Sequence, residues 1–176
     1  GFDLEQQPDR PASLRAHLLA QLGQSRAETA ALLLARRLVE ELDEFGFLRT
    51  TLAELAARLG AAPGQAEAAL ALVQGCDPTG VGARDLAECL ALQLAERDRF
   101  DPAMRRLVEN LDLLERGERR RLRAKCGVDE EDFADMLAEL RALDPRPCAG
   151  FQVERAETLI PDVFLRRAPG NRSSRQ

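Results

Sequence analysis

The chain repeats itself. Shifting the sequence by 67 positions lays Leu55, Ala57, Gly60, Leu70, Ala71, Asp77 and Pro78 on Leu122, Ala124, Gly127, Leu137, Ala138, Asp144 and Pro145, and sets Arg58 on Lys125. Repetition of one supersecondary unit narrows the available folds, because each copy must bury the same apolar face and terminate in the same way. Both copies read as two short helices joined by a Gly-containing turn and closed by an Asp-Pro step, which predicts two related helical lobes. The alternative is coincidence between two Ala/Leu-rich helices.

Composition agrees with helices. Leu and Ala dominate, β-branched residues are few, and Trp and Tyr are absent, so an all-α fold is expected over a sheet. With 45% hydrophobic and 31% charged residues among 176, the chain can bury a core as one domain or two small ones. Residues 1–12 read as a flexible acidic linker, 13–97 as a first lobe, 98–147 as a second lobe and 148–176 as an extended tail with one short strand near 159–165.

Cap and stop signals place the helices. Ser13 caps a helix carrying Leu14, Leu18, Leu19 and Leu22 up to Gly23. Ser25 and Glu28 form a capping-box pattern ahead of a long helix whose Ala31, Leu34, Leu38, Leu42 and Phe45 run to Gly46, and Thr51 with Glu54 forms another before Leu52 to Leu59. Pro63 suits the first turn of a helix through Gln74, and Ala83 to Glu96 forms the next. Asp101 and Pro102 open a helix through Leu114, and Asp129 caps one carrying Phe133, Met136, Leu137, Leu140 and Leu143.

Several chemistries lack the residues they need. There is one histidine, His17, no Gly-x-Ser-x-Gly, no metal-ligand cluster and no phosphate loop, so the chain is read as a non-enzyme without cofactor or metal. Cys76, Cys89, Cys126 and Cys148 are widely spaced and read as reduced core thiols. The N-terminus is polar and acidic and no apolar run approaches the roughly 18 residues of a membrane span, so a soluble, cytoplasmic protein is expected. An autonomous helix-turn-helix DNA-binding module is the alternative reading, since Leu52 to Gln74 has that outline. Its second helix carries Gln65, Glu67 and Gln74 but no basic residue, and the net charge of −5 argues against a surface built as a whole to condense on nucleic acid, leaving contact to a local basic patch.

Two stretches are the candidate binding residues. In Asp77-Pro78-Thr79-Gly80-Val81-Gly82-Ala83-Arg84-Asp85-Leu86, Pro78, Gly80 and Gly82 set a shaped path, Val81 packs, and Arg84 and Asp85 either pair locally or face a partner. A purely conformational turn between the lobes is the competing reading. The run Arg116, Arg119, Arg120, Arg121, Arg123, Lys125 is the most basic segment, and either pairs with the acids Asp129 to Asp135 or meets an acidic partner surface or DNA phosphate.

The loop and the helix after it, through Glu88-Cys89-Leu90 and Gln93-Leu94, resemble the signature of the sigma-54 (sigma-N) transcription factors in the domain that binds core RNA polymerase. Glu41 to Leu48, Leu143-Asp144-Pro145-Arg146-Pro147 and Ile160-Pro161-Asp162-Val163 match in the same order. The likeness covers about Leu14 to Arg167. Phe47 stands where the family usually has Tyr, and Cys148 where it usually has Gly. The resemblance implies an all-α domain that docks on core polymerase, including the flap of the β subunit. Promoter DNA would be bound mainly through C-terminal regions, and an ATP-driven activator would supply the energy for promoter opening. By the same resemblance the chain reads as a fragment that lacks the activator-responsive and DNA-binding parts.

Overall fold

Nine helices order residues 13–151, which are the residues the computed structural model describes. They are α1 (Leu14–Gly23), α2 (Thr29–Glu40), α3 (Leu52–Leu59), α4 (Pro63–Gln74), α5 (Leu86–Glu96), α6 (Pro102–Glu109), α7 (Leu111–Glu115), α8 (Arg119–Cys126) and α9 (Glu130–Arg141). The all-α expectation holds. The linker at 1–12 and the strand expected near 159–165 lie outside the described residues.

Local chemistry sets most helix starts. The side chains of Ser13, Thr51, Asp85, Asp101 and Asp129 each accept from a backbone N–H in the first turn, occupying donors that the helix leaves without partners. Thr51 and Glu54 close a full capping box. Ser25 and Glu28 do not: Glu28 is itself the N-cap of α2, without a side-chain bond, and Ser25 accepts from Ala27.

Two long helices end earlier than periodicity predicts. The Asp43 carboxylate accepts from the N–H groups of Phe45 and Phe47, 2.8 and 2.9 Å, and this local competition turns the chain after Glu40. An antiparallel bridge between Leu42 and Leu48 completes that turn. The helix expected from Asp101 to Leu114 is divided at Asn110, whose side chain donates to the Arg106 carbonyl and whose backbone leaves the helical region.

The repeat is structural. Helices α3 and α4 map onto α8 and α9 at the 67-residue shift without a gap, and the connecting glycines share one left-handed conformation, φ 69° at Gly60 and 72° at Gly127. The structure extends the repeat by a helix at a different offset, because the N-caps Ser13 and Asp85 and the buried pairs Leu18/Leu90 and Leu22/Leu94 correspond as well. Each unit is closed by a glutamine. Gln21 donates to the Asp77 carbonyl at 2.7 Å and accepts from the Asp77 N–H at 2.8 Å, while Gln93 does the same to Asp144 at 2.7 and 3.0 Å. A side-chain amide can satisfy a donor and an acceptor of one residue simultaneously, which is what an Asp-Pro corner beyond a helix end requires.

Each lobe has its own core. Leu18, Leu38, Leu55, Leu70 and Val73 centre the first, and Leu94, Leu107, Leu122, Phe133 and Leu137 the second. Helix α5, assigned by sequence to 13–97, sends Leu90 and Leu94 into the second core because it plays there the part that α1 plays in the first. Its other face puts Cys89 against Phe47 and Ala83 between the lobes.

Gln93 is only 6% exposed, so Gln93→Leu would strand two backbone groups of Asp144 and should cost about 2–3 kcal/mol in urea denaturation. Gln21→Leu should cost nearer ~1 kcal/mol, since Gln21 is only half-buried and its bonds to Asp77 are exposed where water can replace them, whereas those of Gln93 to Asp144 are partly buried. Equal losses at the two positions would contradict this.

Candidate functional site

The loop from Asp77 to Asp85 is built around two close approaches. Gly82 donates to the Gly46 carbonyl at 2.8 Å and Leu48 to the Ala83 carbonyl at 2.9 Å, so the loop pairs with the turn after α2. Gly80 and Gly82 have φ of 109° and 80°. A methyl group at Gly80 would lie 2.8 Å from the Cys89 sulfur and 2.9 Å from Pro147, which brings the third sequence motif to the same place. Val81 is buried in the first core, as expected, and the Asp77–Pro78 peptide is cis.

Arg84 and Asp85 have local partners. Asp85 is the N-cap of α5 and accepts from Glu88 N–H at 2.8 Å. The Arg84 guanidinium grips Glu88 through Nε and Nη2 at 2.9 and 2.8 Å, and its backbone N–H donates to the same carboxylate. Gln74 bridges this pair to the loop by donating to Glu88 and to the Gly82 carbonyl. Burial by itself would push the Glu88 carboxyl up, but the hydrogen bonds from Arg84 and Gln74 outweigh it and hold the pKa below the ordinary value. Glu88 and Gln74 were missed as site residues by sequence reasoning, although Arg84 and Glu88 stand at the (i, i+4) spacing that signals a helical pair.

Cys148, where the family resemblance led us to expect Gly, is fully buried against Gly46. Burial, with nearby acids, pushes its thiol up to about 12, and the other three thiols are also raised, chiefly by burial. All four are free and buried core residues, as expected. Beside them Arg146 stacks on the ring of Phe45, 4.3 Å from its centroid. His17 reaches Asp77 and stacks on Phe151, and no group of acids, His and Cys able to hold a metal occurs among the described residues.

The basic segment is divided in its use. Arg116 pairs with Asp112 and Glu118, Arg121 with Glu118, and Arg123 with Glu130 while donating to the Val128 carbonyl. Arg119 lies over the Phe133 ring at 5.1 Å. Arg120 and Lys125 form no ion pair among the described residues. Of the expected pairing with Asp129 to Asp135, only Arg123 to Glu130 forms; most partners are the nearer acids on α7 and its turn. The guanidinium groups of Arg119, Arg120 and Arg121 therefore share one exposed first turn of α8, about 30 residues in sequence beyond the loop.

The second helix of each helix-turn-helix outline presents no residues suited to reading DNA. On α4 the exposed residues include Gly64, Gln65, Ala68 and Ala71 with the single acid Glu67, and α9 exposes Glu130, Glu131, Asp132 and Asp135. An acidic helix is repelled by phosphate, and an alanine face cannot read base edges.

Gly80→Ala forces a positive φ and a clash with packed atoms, and should lower stability by about 2–4 kcal/mol in thermal or urea unfolding, as Ala at exposed Gly150 should not. Because the folded pKa of Glu88 lies below its unfolded value, its stabilisation is full above the unfolded value and is lost as pH falls through the folded one. Urea midpoints measured from neutral pH to about pH 3 should therefore fall further for the wild-type chain than for Glu88→Gln; parallel curves would contradict the pairing.

The sequence matches the family model described as "Sigma-54 factor, core binding domain" over residues 3–173. It is similar to proteins named RNA polymerase sigma-54 factor: 47% identical to that of Sinorhizobium fredii over 96% of this chain, 46% to that of Rhizobium etli over 94%, and 46% to that of Caulobacter vibrioides over 90%. The alignments span 33%, 32% and 32% of those proteins, so the chain covers about a third of the length of the relatives it matches. The motifs gathered around Gly80 and the match along nearly the whole chain agree: this chain belongs to the sigma-54 factor core-binding domain family.

Proposed function

We propose that this chain docks a sigma-54-type initiation factor on core RNA polymerase. The family match over 3–173 carries the reading. The architecture supports it, since two lobes locked through one buried junction offer a stiff surface, and stiffness lowers the ordering cost of binding a large partner. In this reading the chain performs no catalysis. The ATP-dependent activator acts on the full-length factor, the β-subunit flap is part of the docking surface, and promoter DNA is met mainly by regions beyond this chain.

Roles within the candidate residues differ. Pro78, Gly80, Val81, Gly82, Arg84 and Asp85 give the junction its shape, with Arg84 and Asp85 holding the start of α5. Arg119, Arg120 and Arg121 supply positive charge on an exposed turn, and Arg123 ties α8 to the turn that follows. Charge of this kind steers a complementary acidic surface and sets the salt dependence of association.

Size-exclusion co-elution with purified core polymerase, beside a parallel run with promoter DNA alone, tests the assignment. Co-elution with polymerase is expected, and binding to DNA only would overturn it. Arg119, Arg120 and Arg121 exchanged together to Glu should weaken polymerase binding by about tenfold and flatten its salt dependence. Unchanged salt titrations with a folded variant would remove these arginines from the interface.

A further inference from the structure

An open groove lies on the surface of the first lobe. It lies between the N-terminal half of α2 and the turn joining α3 to α4, encloses about 460 Å³, and is floored by Ala30, Ala31, Leu34, Leu59, Ala61 and Ala68. Leu33 stands on its rim with 61% of its surface exposed, the more exposed of the two large hydrophobics that face solvent among the described residues.

The repeat supplies the control for this groove. At the 67-residue shift, Gly64, Gln65 and Ala68 fall on Glu131, Asp132 and Asp135. The same frame is thus coated with carboxylates in one copy and bare in the other. A solvated helix face in a chain that is 31% charged ordinarily resembles α9, so the bare face of α4 is the departure that calls for a covering partner.

The charges at the rim specify that partner further. Arg37 lines the groove and forms no ion pair among the described residues, and Glu28, the N-cap of α2, lines it as well. An apolar segment seated here would satisfy the rim by placing a carboxylate at Arg37 and a cation or N–H donors at Glu28. Small residues along α4 admit close approach of a helix backbone, and Leu33 would pack on its side.

We propose that this groove is a helix-docking site for core RNA polymerase, receiving an amphipathic helix whose apolar face carries a carboxylate at the end that meets Arg37. The proposal rests on the reading of the chain as a polymerase-docking domain and adds a second contact, on a different lobe from the arginines of α8.

The test uses three substitutions on the surface of the intact chain: Leu33→Glu, Ala68→Asp, which copies the acid that the second lobe carries in the same register, and Arg37→Glu. Each position is exposed or at the rim, so circular dichroism and urea midpoints should stay at the wild-type values. Competition titration of core polymerase with the wild-type chain should show affinity losses of tenfold or more for Leu33→Glu and Ala68→Asp and a smaller loss for Arg37→Glu. Wild-type affinity in folded Leu33→Glu and Ala68→Asp would overturn the groove proposal and leave polymerase docking intact. A wild-type chain that fails to bind polymerase would overturn both. Sedimentation showing a wild-type dimer that Leu33→Glu dissociates, with polymerase affinity unchanged, would assign the groove to a second copy of this chain and refute the polymerase helix.

Discussion

The backbone contact between Gly82 and Gly46 anchors the loop that leads from the first lobe into α5. At 2.8 Å from nitrogen to oxygen, with Leu48 and Ala83 bonded beside it, two irregular turns behave as one short ladder. Neither turn could come this close with side chains in the way: a methyl group at Gly46 would lie 2.6 Å from the Cys148 sulfur, and one at Gly82 would lie 3.1 Å from Val73. The glycines thus serve less as flexible points than as places where backbone meets backbone. Around this contact Arg146 covers Phe45, Pro147 covers Gly80, and Glu88 ties Arg84 to the start of α5. Motifs about 35 and 60 residues apart on either side of the loop become one object.

The glutamine clamps explain how that object is connected to the lobes. Gln21 holds Asp77 and so fixes the entry to the loop from the first lobe, while Gln93 holds Asp144 and fixes the approach of Pro147 from the second. Because Gln93 sits on α5, one helix carries a capped N-terminus at the loop, a thiol against Gly80 and a clamp on the far corner. Displacing α5 would disturb all three, which makes the lobes mechanically dependent although their apolar cores are separate clusters.

Much of this was legible in the sequence where the governing physics is local. The four N-caps at Ser13, Thr51, Asp101 and Asp129 and the Gly60 stop depend on residues within a turn of one another and appear as read, whereas the helix read from Ala83 starts at Leu86, because Asp85 caps it there. The errors fall where two local signals compete. Ser25 and Glu28 satisfy a capping pattern, but Glu28 becomes the cap itself, and Asp43 overrides a continuing apolar period by bonding its own backbone neighbours. The clamps were not legible, because a glutamine reaching 56 or 51 residues along the chain leaves no spacing signal. The Arg84 to Glu88 pair was legible, and an arginine beside a loop drew attention to external contact while its carboxylate lay one turn away.

The division between frame and surface follows from how differently the two kinds of residue are constrained. The repeated units agree at buried positions, where Leu55 and Leu122 are both fully enclosed and Leu70 and Leu137 nearly so. They disagree where nothing in the fold requires agreement: α8 is basic where α3 is mixed, and α9 is acidic where α4 is alanine and glycine. Exposed ion pairs contribute little to stability, roughly 0–1 kcal/mol each, so the pairs on α8 do not account for so much charge on one short helix. Stability does not explain the bare face of α4 either, since an exposed alanine helix neither buries area nor pairs charge. The two copies thus share a pattern of buried residues and differ in the charge they expose, which is why the net charge of −5 predicts little while the placement of individual charges predicts much.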